Sequence, residues 1–252
     1  MVLAGGSVGH IVRVGDTVRR PTGAWTPAVH AFLRHLESAE FPYAPRVLGV
    51  DDRDREVLTF LPGQPLRRPW PLPLQAEEVL EQVGQALRLL AEASVGFVPA
   101  EGATWRSPPL SRTGPVRHGD VGPWNAIFHD GGLAGFIDWD FAEPAPALWD
   151  LAQAAWYFTP LRPPDLGWRA CGFPTEPDLR RRLLRLCSAY GAEVSTVLDE
   201  LCELQEAELQ RTEILGAQGR SPWRTFLDRG DADEIRTEIA WLAEHRAILL
   251  AT

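Results

Sequence analysis

Apolar and polar positions change their period along the chain. His10–Val14 and Thr17–Arg20 read as two β-like runs joined at Gly15-Asp16, a plausible hairpin turn. Thr26-Pro27 then reads as an N-cap followed by proline at the first helical position, and Val29, Phe32, Leu33 and Leu36 recur at helical spacing. Two further strands are predicted at Arg46–Val50 and Glu56–Phe60, across the polar turn Asp51–Asp54. Strand–strand–helix–strand–strand with short connections predicts one antiparallel sheet with one helix packed on it.

Pro62-Gly63 opens a proline-rich stretch that ends at Pro73 and reads as a link between lobes, because proline removes ladder donors and stiffens the chain. The pattern then turns helical. Val79 or Leu80, Val83, Leu87 and Leu90 make one stripe, and Leu179–Tyr190, Val194–Leu215 and Asp233–Leu250 predict three later helices. Asp231 and Glu234 read as a capping box for the last of these. Between them strand signals return: Ala126–Phe128 and Leu133–Trp139 flank Asp130-Gly131-Gly132, a strong hairpin signal. The expected fold class is α+β in two lobes, a small antiparallel-sheet lobe over residues 1–62 and a mainly helical one over 63–252.

Composition narrows the function classes. The 252 residues are 45% hydrophobic and 23% charged, ordinary values for a globular chain with a full core. No apolar run approaches the 18 or so residues of a spanning helix, and the start MVLAGGSVGH does not read as a signal peptide, so a cytoplasmic protein without a membrane partner is expected. A net charge of −9 argues against general affinity for nucleic acid. Cys171, Cys187 and Cys202 form no CxxC pair and read as reduced thiols. All 25 basic residues are Arg, and Asn125 is the single Asn.

The chemistry-bearing segment is Val116-Arg-His-Gly-Asp-Val-Gly-Pro-Trp-Asn-Ala-Ile-Phe, followed by Gly135-Phe-Ile-Asp-Trp-Asp and Trp149-Asp150-Leu151. Phosphoryl transfer needs a hydroxyl held in line, a carboxylate that orients it and accepts its proton, and oxygen ligands for Mg²⁺. Asp120 and Asn125, five residues apart on one loop, can meet two of these needs together. Asp138 ends the apolar strand Leu133–Ile137 and would bring a second carboxylate to the same place from the far arm of the hairpin.

His118-Gly-Asp120-x4-Asn125 with Ile137-Asp138-Trp-Asp140 resembles the catalytic loop and metal motif of the aminoglycoside phosphotransferase and choline kinase family, which has a protein-kinase-like fold. The resemblance implies Asp120 as catalytic base, Asn125 and Asp138 as Mg²⁺ ligands, His118 as a brace of the loop, and Asp150 as an acceptor of loop N–H bonds. Asp140 is either a further ligand or a strand-end turn residue. Gly5, Gly6 and Gly9 fall where the family's phosphate-covering turn lies, and Arg19 where it places its phosphate-holding Lys, although Arg20 competes for that role. Phe60 and Leu61 would border the adenine pocket. The implied partners are ATP or GTP as donor and a small hydroxylated molecule as acceptor. The implied activity is O-phosphotransfer; the alternative is a non-catalytic kinase-like binding or immunity protein.

One departure from the family is clear. Its N-lobe helix usually carries a Glu that pairs with the phosphate-holding base, whereas Pro27-Ala-Val29-His30-Ala offers no carboxylate and Glu37 comes nearly two turns late. Glu193, Asp199, Glu200, Glu203, Glu206 and Glu208 are either a lure for a cationic acceptor or a solvated helix face, while Leu198, Leu201, Leu204 or Gln205 and Leu209 trace the buried stripe.

Overall fold

A computed structural model describes residues 11–108 and 114–251. Gly5, Gly6 and Gly9 lie outside the described residues. In chain order the elements are β1 (Val12–Val14), β2 (Thr17–Pro21), α1 (Thr26–Ser38), β3 (Val47–Val50), β4 (Arg55–Thr59), β5 (Gln64–Pro65) and α2 (Glu77–Ala93). They continue with β6 (Val116–Arg117), β7 (Ala126–His129), β8 (Gly132–Phe136), β9 (Glu143–Pro144) and α3 (Trp149–Phe158). The chain ends in α4 (Leu179–Tyr190), α5 (Val194–Ala217), α6 (Trp223–Arg229) and α7 (Asp231–Leu250).

The described chain divides into two compact units. One holds the described residues up to Leu66 together with Ala86–Asp150; the other holds Arg67–Gln85 and the residues from Leu151 onward. The first unit contains every strand among the described residues. Its main sheet is antiparallel in the order β1-β2-β4-β3, and its second sheet runs β5-β7-β8. In the main sheet Arg20 of β2 stands directly opposite Glu56 of β4, so the two side chains share a face. Phe32, Leu33 and Leu36 make the buried stripe of α1, and Phe32 meets Trp139 edge-on at 5.9 Å between ring centres. That contact ties the helix to the segment that follows β8.

The β7-β8 hairpin closes through Asp130 and Gly131, both at positive φ (49° and 80°), the backbone of a two-residue hairpin turn. Helix α1 begins at Thr26, not after it: Trp25 is the cap residue, and Thr26 Oγ1 instead accepts the Gly23 N–H at 2.8 Å. Asp231 likewise is the first residue of α7 rather than its cap, which is Gly230; its carboxylate is taken by Arg229 at 2.7 Å, so no capping box forms.

The second unit is built of helices. Within it Arg182 of α4 donates to the carbonyls of Gln75 (2.7 Å) and Phe158 (3.0 Å), and burial among such neutral partners holds its pKa down to about 10. Along α5 the residues Leu198, Leu201, Leu204 and Gln205 are buried whereas Glu203 and Glu206 are exposed, the distribution of a solvated face. No helix among the described residues is long and apolar enough to cross a membrane.

Arg162 and Glu238 form the principal buried ion pair of this unit, Nε of the arginine donating to Oε1 of the glutamate. Burial pushes the Glu238 carboxyl above its ordinary range, and Arg162 works against that shift. Replacing Glu238 by Ala leaves a buried guanidinium without its main partner. We expect a loss of about 3 kcal/mol in the unfolding free energy, read from urea titration.

Candidate functional site

The loop after β6 is fixed from three directions. Asp150, in the first turn of α3, accepts the backbone N–H of His118 at 2.7 Å through Oδ2 and that of Gly119 at 3.0 Å through Oδ1. Gly119 itself sits at φ +82°, and a Cβ there would lie 2.0 Å from the Phe141 carbonyl oxygen. Only glycine combines that backbone with that approach. The His118 ring lies against Trp139, tilted by 52° at 4.4 Å between centres, and is fully buried. Its Nδ1 accepts the Asp120 N–H at 3.1 Å, so the ring proton resides on Nε2, which donates to the Ile137 carbonyl at 3.0 Å. A single imidazole therefore bolts the loop to the strand end that carries Asp138.

Asp120 and Asn125 meet directly. The Asn125 side-chain amide donates to the Asp120 backbone carbonyl at 3.0 Å and to its Oδ2 at 2.7 Å, while Trp124 Nε1 donates to Oδ1 at 3.2 Å. The amide Oδ1 of Asn125 thereby points away from Asp120 and is the atom left for a cation. Across the hairpin the Ile137 N–H donates to the Asn125 carbonyl at 2.8 Å, which sets Asp138 one residue beyond the partner of Asn125. The three residues named from the sequence, Asp120, Asn125 and Asp138, thus lie near one end of one hairpin. Asp138 adopts a left-handed backbone, φ +63° and ψ 60°, a conformation that Asp tolerates better than most residues.

The structure separates the two candidate arginines. Arg19 turns to Thr17 Oγ1 and to Asp51, whose carboxyl Arg55 holds down at a pKa of about 2; its Nε is 3.7 Å from Asp51 Oδ2. Arg20 turns to the site. Its Nη2 lies 2.8 Å from Asp138 Oδ1 and 2.7 Å from Asp140 Oδ1, and its Nε lies 3.0 Å from Glu56 Oε1. Burial works against the Arg20 charge, but Asp138, Asp140 and Glu56 outweigh it and raise the pKa above the ordinary arginine value. Asp140 is also held by Arg106 at 2.6 Å, itself lying over the rings of Trp25 (4.5 Å) and Phe141 (4.9 Å). Burial raises the pKa of Asp140, and the two arginines oppose that shift. With both carboxylate oxygens engaged by guanidinium groups, Asp140 behaves as a structural anchor in this arrangement.

Phe60 lies under the Arg13 guanidinium, 3.6 Å from its ring centre, and Leu61 packs toward Gly135 of β8, within 2.9 Å of where a Cβ would stand. Sequence reasoning missed Glu56 and His30. Glu56 faces Arg20 across β2 and β4, and its Oε2 lies 2.8 Å from His30 Nε2. The signal available was register: Arg20 and Glu56 are equally placed about the strand pair, but only the observed pairing shows it.

The donor chemistry fits Mg²⁺. Among the described residues no three of His, Cys, Asp and Glu converge as a metal-binding group; the available set is one carboxylate, Asp138, and one amide oxygen, Asn125. Hard oxygens in that small number suit a cation that takes most of its shell from phosphate and water.

Two measurements test this geometry. Gly119→Ala forces a methyl onto a carbonyl at a left-handed position and is expected to cost about 3 kcal/mol of stability, read as a fall in melting temperature. Burial also holds His118 below the ordinary histidine pKa. The unfolded chain therefore takes up a proton below about pH 6.5 that the folded chain refuses, and stability falls as pH drops through that range. In His118→Gln that component is absent, so the stability gap between wild type and variant narrows on acidification by up to about 1.4 kcal/mol per pH unit.

The chain matches the phosphotransferase enzyme family over residues 11–113 and 100–182. It is 37% identical over 196 residues to the trifolitoxin immunity protein of Rhizobium leguminosarum bv. trifolii, covering 75% of this chain and 73% of that relative. Among solved structures it resembles a choline/ethanolamine kinase family protein from Mesorhizobium loti, with a TM-score of 0.56, 16% identity, and 94% and 90% of the two chains covered. It also resembles the aminoglycoside phosphotransferase APH(2")-IIa solved with streptomycin and ATP, with a TM-score of 0.57, 11% identity, and 96% and 92% covered. The likeness to the solved structures establishes the kinase-like fold, and the match across most of the chain establishes that this protein belongs to the phosphotransferase enzyme family.

Proposed function

We propose that the protein is a small-molecule O-phosphotransferase, moving the γ-phosphoryl group of Mg²⁺-bound ATP or GTP to a hydroxyl. The observation that supports this reading is that Asp120 and Asn125 bond directly, that Ile137, the residue before Asp138, pairs with the Asn125 backbone, and that Arg20 bonds to Asp138. In this reading residues 1–62 cover the nucleotide, with Phe60 and Leu61 beside the base, and residues 63–252 carry the catalytic loop and the acceptor site.

Asp120 orients the acceptor hydroxyl and takes its proton on a carboxylate oxygen as the phosphoryl group passes through a loose transition state. An acceptor hydroxyl at Oδ1 replaces or shares the Trp124 N–H bond, while the Asn125 amide keeps Oδ2 fixed. Asn125 Oδ1 and Asp138 would hold Mg²⁺, which neutralises phosphate charge when bound. Arg20 supplies its guanidinium to the phosphate oxygens, where its planar donor fork matches the geometry. His118 and Asp150 hold the loop so that little motion is needed at the moment of transfer. The cytoplasm is the compartment in which such a donor is abundant.

A second reading has its own support. The 37% identical relative is named as an immunity protein, and a kinase-like scaffold can protect by holding a toxic molecule instead of modifying it. The two readings separate at one residue. Asp120→Asn is expected to lower phosphate transfer by about 10²–10⁴-fold while Mg²⁺-nucleotide affinity is retained. Screening hydroxylated antibiotics and metabolites for phosphate uptake supplies the acceptor. Full turnover in Asp120→Asn removes Asp120 as the base; full protection of cells by that variant supports sequestration.

A further inference from the structure

We propose that Glu56 and His30 position Arg20 as the grip for the nucleotide phosphates, the anchoring carboxylate coming from the neighbouring strand rather than from helix α1. This rests on the phosphotransferase reading. Two donor atoms of Arg20 have separate uses. Nε is bound to Glu56 Oε1 at 3.0 Å, deep in the unit where Glu56 is only 3% exposed. Nη2 is shared between Asp138 and Asp140 at the rim. These contacts differ in permanence. Asp140 is independently tied to Arg106, and Asp138 has the more open side chain, at 36% exposure, and is the carboxylate assigned to the metal. Were Asp138 to hold a cation, Nη2 would be free to meet the phosphates, while the Nε–Glu56 bond would keep the guanidinium plane in place.

Glu56 needs support of its own to do this. A buried carboxylate with one satisfied oxygen is costly, and its second oxygen meets His30 Nε2 at 2.8 Å. His30 is 5% exposed and lies on α1 within the segment that carries no carboxylate. The chain of contacts therefore runs from α1 through β4 to β2, and each member has a separate atom for each neighbour. Cross-strand register sets the Arg20–Glu56 distance, since the two residues are direct partners. Glu56 and His30 are positioning residues, acting on the ligand only through Arg20.

The readout must distinguish a grip on phosphate from a general effect on folding. We would measure the affinities of wild type, Glu56→Gln and His30→Ala for Mg²⁺-ATP and Mg²⁺-GTP, and for adenosine and guanosine, by calorimetry on the full chain. The expected result is a loss of about 10- to 100-fold for the preferred triphosphate with nucleoside affinity unchanged, the size typical of groups that orient a ligand-binding side chain. Triphosphate affinity equal to wild type in both variants overturns the assignment of Glu56 and His30 alone. Nucleoside and triphosphate weakening together also overturns it, because the pair then serves the fold. If Glu56→Gln does not fold, His30→Ala decides the same comparison, because it removes the ring that meets Glu56 Oε2. A wild-type chain that binds neither triphosphate overturns the phosphotransferase reading itself, and this proposal with it.

Discussion

A guanidinium withdrawn from water must find compensating charge, and Arg20 finds it on three carboxylates that belong to different parts of its unit: Glu56 on β4, and Asp138 and Asp140 beyond β8. Because the acids outnumber the one base, none of them is fully neutralised by it, and Arg106 enters from the far side to share Asp140. The main sheet and the hairpin are therefore joined by charge at the point where the chemistry is expected. The geometry is demanding in both directions. Without Arg20 the three acids would repel one another, and without the acids its burial would be prohibitive.

The loop after β6 is held by a different kind of force. Its supports are neutral or backbone-directed: two N–H groups on Asp150, an imidazole that accepts from one segment and donates to another, and a glycine pressed against the Phe141 carbonyl. Such contacts give direction without mobility. Asp120 is left half-buried, with its carboxylate oriented by Asn125 and Trp124, while the loop behind it has no slack.

Much of this was legible before any coordinates. The order of strands and α1 followed from period and turn chemistry, and the hairpin from Asp130-Gly131. The three long C-terminal helices followed from their stripes. The contact between Asp120 and Asn125 was legible because both lie on one short loop. Helix α3 was not predicted, because Trp149–Trp156 is buried on every side and so shows no amphipathic period. Strands β5, β6 and β9 are two residues each, too short to carry a pattern. The choice between Arg19 and Arg20, and the partnership of Arg20 with Glu56, depended on strand register, a long-range property that a one-residue shift reverses. The unit that holds the N-terminal sheet also holds the loop that carries Asp120, a grouping that linear order does not reveal.

The left-handed backbone at Asp138 has an evolutionary consequence. The residues that occupy such a conformation at low cost are Asp, Asn and Gly, and of these only Asp brings a negative charge. A lineage under no pressure to retain metal chemistry can drift to either neutral residue with its chain trace preserved. Descent from a catalyst to a scaffold that merely captures its ligand is thus a short walk in sequence space, open at a single codon and leaving little mark on the architecture.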